Sequence, residues 1–208
     1  MAERGRPRSF DRAAALRQAM EVFWAKGYSG TSMADLTAAM KINSPSIYAA
    51  FGCKEELFRE AVVLYGATEG ARIWERMTAA PSARAAIETM LRVSAEDYTR
   101  PGKPRGCLVV LGAIHADDGN DAVQRELRQK RVHNVDLLAR RLERAVAEGE
   151  LPEGVDCRAV ATFYATVQHG MSIQARDGVS RKSLLNVADC AMVAWDGLVA
   201  ARGNTGKS

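Results

Sequence analysis

At 208 residues, with 47% hydrophobic side chains, the chain can bury a substantial core as one large domain or two small ones. A formal net charge of +4 permits a polyanionic partner without requiring one, since so small an excess is common in proteins that bind no nucleic acid. Four cysteines spread along the chain without a C-x-x-C pair argue against a zinc site or a disulfide framework, and the longest apolar run, Leu108 to Ile114, is far too short for a membrane span.

The chain opens with a short basic arm, residues 1–8, in which Arg6 and Arg8 can follow a phosphate backbone or enter a minor groove. The spacing then predicts a helix from Ser9, read as its cap, to Gly27, with Phe10, Leu16, Ala19, Met20, Phe23 and Trp24 on one stripe. Ser32 can cap a second helix carrying Met33, Leu36, Thr37 and Met40, and Ile42 plugs the turn after it. Asn43 caps a third, with Pro45 in its first turn and Ile47 and Phe51 on its apolar side. Ser44, Ser46 and Tyr48 are left facing outward at an exposed helix N-terminus, where amides and hydroxyls both donate to anions. From Lys54 towards Met77 a longer helix reads as a lever into the rest of the chain.

Residues 9–58 resemble the DNA-binding domain of TetR-family transcriptional regulators. The resemblance is carried by F-W-A-K-G-Y-S-G-T-S (Phe23 to Ser32), by Leu36, and by I-N-S-P-S-I-Y-A-A-F-G-C-K-E-E-L-F (Ile42 to Phe58). It implies an all-α protein of about nine helices: a three-helix helix-turn-helix domain (9–58), a larger helical regulatory and dimerisation domain (59–202) and a short tail (203–208). By similarity Thr31 and Ser32 touch phosphate, Ser44, Pro45 and Ser46 face the groove, and Tyr48 and Lys54 hold the backbone. Asn43, Arg6 and Arg8 belong to the same DNA-facing set. Two departures stand out. Lys41 occupies a turn position where the family often has glycine, so it is either strained or reaches a phosphate. Ala49 and Ala50 follow the tyrosine where larger polar residues are common, which shifts specificity towards Ser44, Ser46, thymine methyls and DNA shape.

The remainder is helical in pattern, divided by Pro/Gly/Asp-rich breaks and capped by Ser82, Asp121, Asp156 and Ser180. Glu126 to Glu148 reads as an amphipathic outer helix. The last two helices are apolar around most of their circumference, which implies a second burial partner. The resemblance supplies one, an intersubunit four-helix bundle, with Val160, Val167, Leu184, Ala188, Ala191 and Trp195 as the expected contacts; a monomeric core is the competing reading.

Trp74, Met77, Tyr98, Cys107, His115, Phe163, Tyr164, Gln168 and His169 form the mixture of aromatic, soft and weakly polar groups that a small-molecule pocket uses. Cys107 opens a helix after Lys103 and Arg105, a setting that favours thiolate and hence an electrophile or redox switch, against the plainer role of a packing residue. No Walker loop, dinucleotide fingerprint or H-E-x-x-H is present, so the chain is not expected to be an enzyme or to need a cofactor or metal. The resemblance implies a cytoplasmic homodimeric repressor on a palindromic DNA operator, released by an unidentified small molecule. A helical enzyme or a protein-binding adaptor is the reading from another class.

Overall fold

Asp11 starts the first helix: its carboxylate accepts the amides of Ala13 and Ala14, and α1 (Arg12–Lys26) follows. Ser9 lies outside the residues that the computed structural model describes, which are 10–113 and 121–200, so the capping is assigned to Asp11. Arg6, Arg8, His115 and the tail are likewise outside. Gly27 ends α1 with a φ of 73°, and a Cβ there would stand 3.2 Å from the Gly112 carbonyl, so the position needs glycine on two counts.

The next elements are α2 (Met33–Met40), α3 (Ser44–Phe51), α4 (Lys54–Ala67), α5 (Ala71–Thr78), α6 (Ala83–Tyr98), α7 (Leu108–Leu111), α8 (Asp121–Ala147), α9 (Cys157–Arg176), α10 (Arg181–Val193) and α11 (Trp195–Val199). Among the described residues the roughly nine expected segments become eleven because two are interrupted. The lever is one: the chain breaks at Thr68 and resumes at Ala71, with the Gly70 amide turned back onto the Tyr65 carbonyl at 2.8 Å. The last segment is the other, broken at Ala194. Ser82, Asp156 and Ser180 cap their helices as anticipated, while the Asp121 side chain is not among those described.

Two cores hold the molecule. In the first, Ala19, Phe23 and Trp24 of α1 pack with Leu36, Ile47, Leu57 and Phe58; Phe23 and Phe58 meet edge to face at 5.0 Å. This core does not stop at α3: Val62 and Tyr65 extend it along α4, and Leu108, Val123 and Leu127 join it from α7 and α8. The second core is built from α5, α6, the later half of α8, α9, α10 and α11, around Ile87, Met90, Leu91, Leu138, Tyr164 and Trp195. Each fully buried side chain of this size contributes roughly 2–3 kcal/mol, so the helix order follows from which stripes need covering. α7 and the start of α8 pack with the first core while the rest of α8 packs with the second, so α8 is shared between the two.

Candidate nucleic-acid interface and effector cavity

Ser32 begins α2 with a reciprocal cap: its Oγ accepts the Asp35 amide at 3.1 Å and its own amide donates to Asp35 Oδ2 at 2.9 Å. Lys26 Nζ lies 2.5 Å from Asp35, and that ammonium, with the Ser32 donors, holds the carboxyl far below the usual range. The turn that follows is left-handed at Lys41, φ 56° and ψ 36°, which costs up to about 1 kcal/mol relative to glycine. Asn43 Oδ1 then accepts the Ser46 amide at 2.9 Å, and Pro45 stands in the first turn, where its missing N–H costs nothing.

The buried side of α3 consists of Ile47 and Phe51 alone. Arg12 locks the helix end by donating to the Ala50 carbonyl from Nε and Nη2, while its guanidinium lies 4.3 Å over the Phe51 ring. Away from that side, Asn43 and Pro45 are exposed, Tyr48 is half exposed, and Ser44 and Ser46 are partly exposed. Ser32 and Lys41 are exposed beside them on the same unit. The rigid part is therefore packed and the hydroxyl-bearing part is free.

Two residues expected at phosphates are placed differently. Thr31 is buried, and its hydroxyl donates to the Gly27 carbonyl at 2.6 Å, so it fixes the α1–α2 connection and has no free donor for an anion. Lys54 is only partly exposed, with Nζ 4.3 Å from the centre of the Tyr28 ring, and burial lowers its pKa. In this conformation its charge sits on an aromatic face; a phosphate would have to draw it off.

In the second half a cavity of about 380 Å³ opens between α4, α5, α6, α7, α8 and α9. Trp74, Tyr98, Cys107 and Gln168 line it, with Tyr65, Lys130, His133 and Asn134. Gln168 is buried and donates to Ser94 Oγ at 2.9 Å, leaving its carbonyl oxygen as an acceptor. Of the other sequence candidates, Met77 is core, Tyr164 packs against Trp195 and Phe163 and donates to the Ala191 carbonyl, and Phe163 faces out; none of the three reaches the cavity. His169 lines a different one. The polar liners of α8 went unread because residues 130, 133 and 134 look like any solvated helix face.

Cys107 caps α7, and its surroundings reverse the thiolate expectation. Lys103 pairs with Glu21 and Glu69, and Arg105 donates to the Val179 carbonyl, so neither cation serves the sulfur. Burial pushes the thiol above its ordinary value; the Tyr65 and Tyr98 hydroxyls and the Val109 and Val110 amides pull the other way without overcoming it.

The expected dimer contacts also need correction. Val160, Leu184, Ala188, Ala191 and Trp195 are buried within the protomer, because the second core uses those positions itself, and Val167 is partly buried. The large apolar residues of α9 and α10 left exposed are Phe163, Ile173, Val187 and Val193, the last 83% exposed, with Cys190 exposed between the latter two; Ile173 lies towards the end of α9, away from the other three.

Between the halves, Arg176 of α9 reaches across to the end of α1. Its Nη2 and Nη1 donate to the Trp24 and Ala25 carbonyls at 2.7 and 2.9 Å, and its Nε to the Arg105 carbonyl at 3.1 Å. Trp24 Nε1 donates to the Gly106 carbonyl, and the Tyr28 amide to the Gly112 carbonyl at 2.7 Å. The C-terminal carbonyls of α1 are thus closed by a cation from the other half. No sequence spacing announces this link, which joins residues about 150 positions apart.

Comparison with known proteins agrees with both halves. A family model described as bacterial regulatory proteins, tetR family, matches residues 15–61, and one described as a tetracyclin repressor-like C-terminal domain matches residues 81–181. The chain is 32% identical over 197 residues to the HTH-type transcriptional repressor ComR of Escherichia coli (strain K12), covering 94% of each. It is 31% identical to the HTH-type transcriptional repressor BdcR of the same organism, covering 90% of each. Among solved structures, the TetR family transcriptional regulator CifR, a cysteine mutant complexed with 26 bp double-strand operator DNA, shares 46% identity at a TM-score of 0.89, covering 92% of this chain and 100% of that one.

Proposed function

The chain belongs to the TetR family of transcriptional regulators, and from that premise we propose that it is a homodimeric repressor whose paired α3 helices occupy a palindromic operator until a small molecule changes their spacing. One observation carries the DNA part: α3 buries only Ile47 and Phe51 and leaves Ser46, Pro45 and Tyr48 free at a capped N-terminus. CifR, similar over its whole length, was solved on operator DNA, and ComR and BdcR are repressors.

The uncovered stripe Phe163, Val187, Cys190 and Val193 is the proposed twofold interface, since an apolar face on two long helices of a soluble chain calls for a partner. The cavity lined by Trp74, Tyr98, Cys107 and Gln168 is the proposed inducer site. It touches both α4 and α7, which pack with the DNA-binding half, so a ligand with different affinity for two arrangements of these helices shifts the operator equilibrium. Modification of Cys107 is the weaker trigger, because Lys103 and Arg105 are engaged by other partners and burial disfavours the thiolate.

A single substitution tests the dimer and the DNA reading together. Val193→Asp places a carboxylate at an open surface position, harmless to the protomer but desolvated and facing its twin in the interface. Sedimentation is expected to show a monomer at micromolar concentration. Retardation of the DNA upstream of the chain's own gene is expected to need at least about a hundredfold more protein than wild type. A dimer with unchanged retardation would contradict the assignment of this face.

A further inference from the structure

Arg125, Arg128 and Arg131 leave successive turns of α8 and line a second cavity, about 520 Å³, between α7, α8 and α9. Like charges this close repel, yet among the described residues none of the three is ion-paired; the one acid within the stretch, Glu126, lies against Arg59. Arg131 donates instead to the Val109 carbonyl at 2.8 Å. From α9, His169 lines the same cavity with its Nε2 buried and without a partner. The other walls include Val110, Ala113 and Ile173.

Forked cationic donors on one wall and aliphatic side chains on the others complement a molecule with an anionic head and an apolar body. We propose that this cavity is an effector site for an organic anion, a carboxylate, sulfonate or phosphate ester, separate from the site around Trp74 and Cys107. Its position ties it to the DNA-binding half. It shares Ala113 and Ile173 with the cleft between the halves, a space of about 340 Å³ that also borders Gly27, Tyr28 and Arg176. An anion that draws Arg131 off Val109 releases a carbonyl of α7, the helix that leads into Gly112 and its bond to Tyr28. The effector role rests on the chain being a DNA-binding regulator, whereas the binding chemistry stands by itself.

The test titrates the full-length protein with anilinonaphthalene sulfonate and, separately, with uncharged phenylnaphthylamine, following the fluorescence of each probe. Wild type is compared with Arg125→Gln/Arg128→Gln, which spares Arg131 and its bond to the backbone. The double variant is expected to bind the sulfonate at least about tenfold more weakly and the uncharged probe unchanged. Sulfonate at a concentration equal to the wild-type dissociation constant is expected to weaken operator retardation by wild type and to affect the variant's far less. Equal sulfonate affinity in the two proteins, or a parallel loss of both probes, would overturn the anion site; sulfonate binding with no effect on retardation would overturn its effector role. Failure of probe-free wild type to retard its operator sinks the regulator reading instead and leaves the probe comparison standing.

Discussion

Ser46→Glu is expected to abolish operator binding while leaving the fold as stable as before, or slightly more so. Ser46 is the third residue of α3, and its amide is held by Asn43 Oδ1. A glutamate there can reach back to the Asn43 amide and complete a capping box, and its charge sits at the positive end of the helix, both favourable to α3 by a few tenths to about 1 kcal/mol. The same carboxylate points into the space where phosphates and base edges would lie. Like-charge juxtaposition across an interface costs several kcal/mol, so affinity is expected to fall by a factor of about a hundred or more. Ser46→Ala, which removes one hydroxyl, is expected to lose only about tenfold. Gel retardation read beside a thermal melt separates the two effects. Retained binding with Ser46→Glu would place α3 away from the DNA.

Arg176→Ala is the substitution expected to weaken the link between the halves most. The guanidinium closes three carbonyls, two of them at the end of α1, and burial lowers its pKa against the opposing pull of Asp177. Truncation leaves those carbonyls to a cleft only partly open to water. A loss of about 3 kcal/mol follows from the usual value of charge-assisted bonds, lowering Tm by about 6–12 °C for a chain of this size at fixed protein concentration. Arg176→Lys is not expected to restore it, since one ammonium cannot span three carbonyls at once. A melt within about 1 °C of wild type would mean that the two cores are held together without this residue.

The DNA-binding unit was legible in the sequence because its signals are local. Caps at Ser32 and Asn43, the proline in the first turn of α3, and apolar positions at helical spacing each act within one or two turns, and the resemblance, with glycine common at that turn position, pointed to the left-handed backbone found at Lys41. Burial by distant elements was not legible. Thr31 reads as a surface hydroxyl until the Gly27 carbonyl is seen to take it, and Val160, Leu184 and Trp195 read as surplus apolar residues until α6 and α8 are packed against them. The same holds for Cys107: the sequence shows two cations beside it, and only the fold reveals Glu21, Glu69 and Val179 drawing them away. Periodicity likewise could not find the break at Thr68, where a chain that favours helix is turned by the backbone around Tyr65 and Gly70.

The central claim is that two copies of α3 enter one duplex from the same side, a helical turn apart. Hydroxyl-radical footprinting of the dimer on the DNA upstream of its own gene tests this most directly. The account predicts two protected patches related by a twofold axis, on one face of the duplex, with centres about 10 base pairs or a whole multiple of that apart. A single unsymmetrical patch, or two patches on opposite faces, would contradict it.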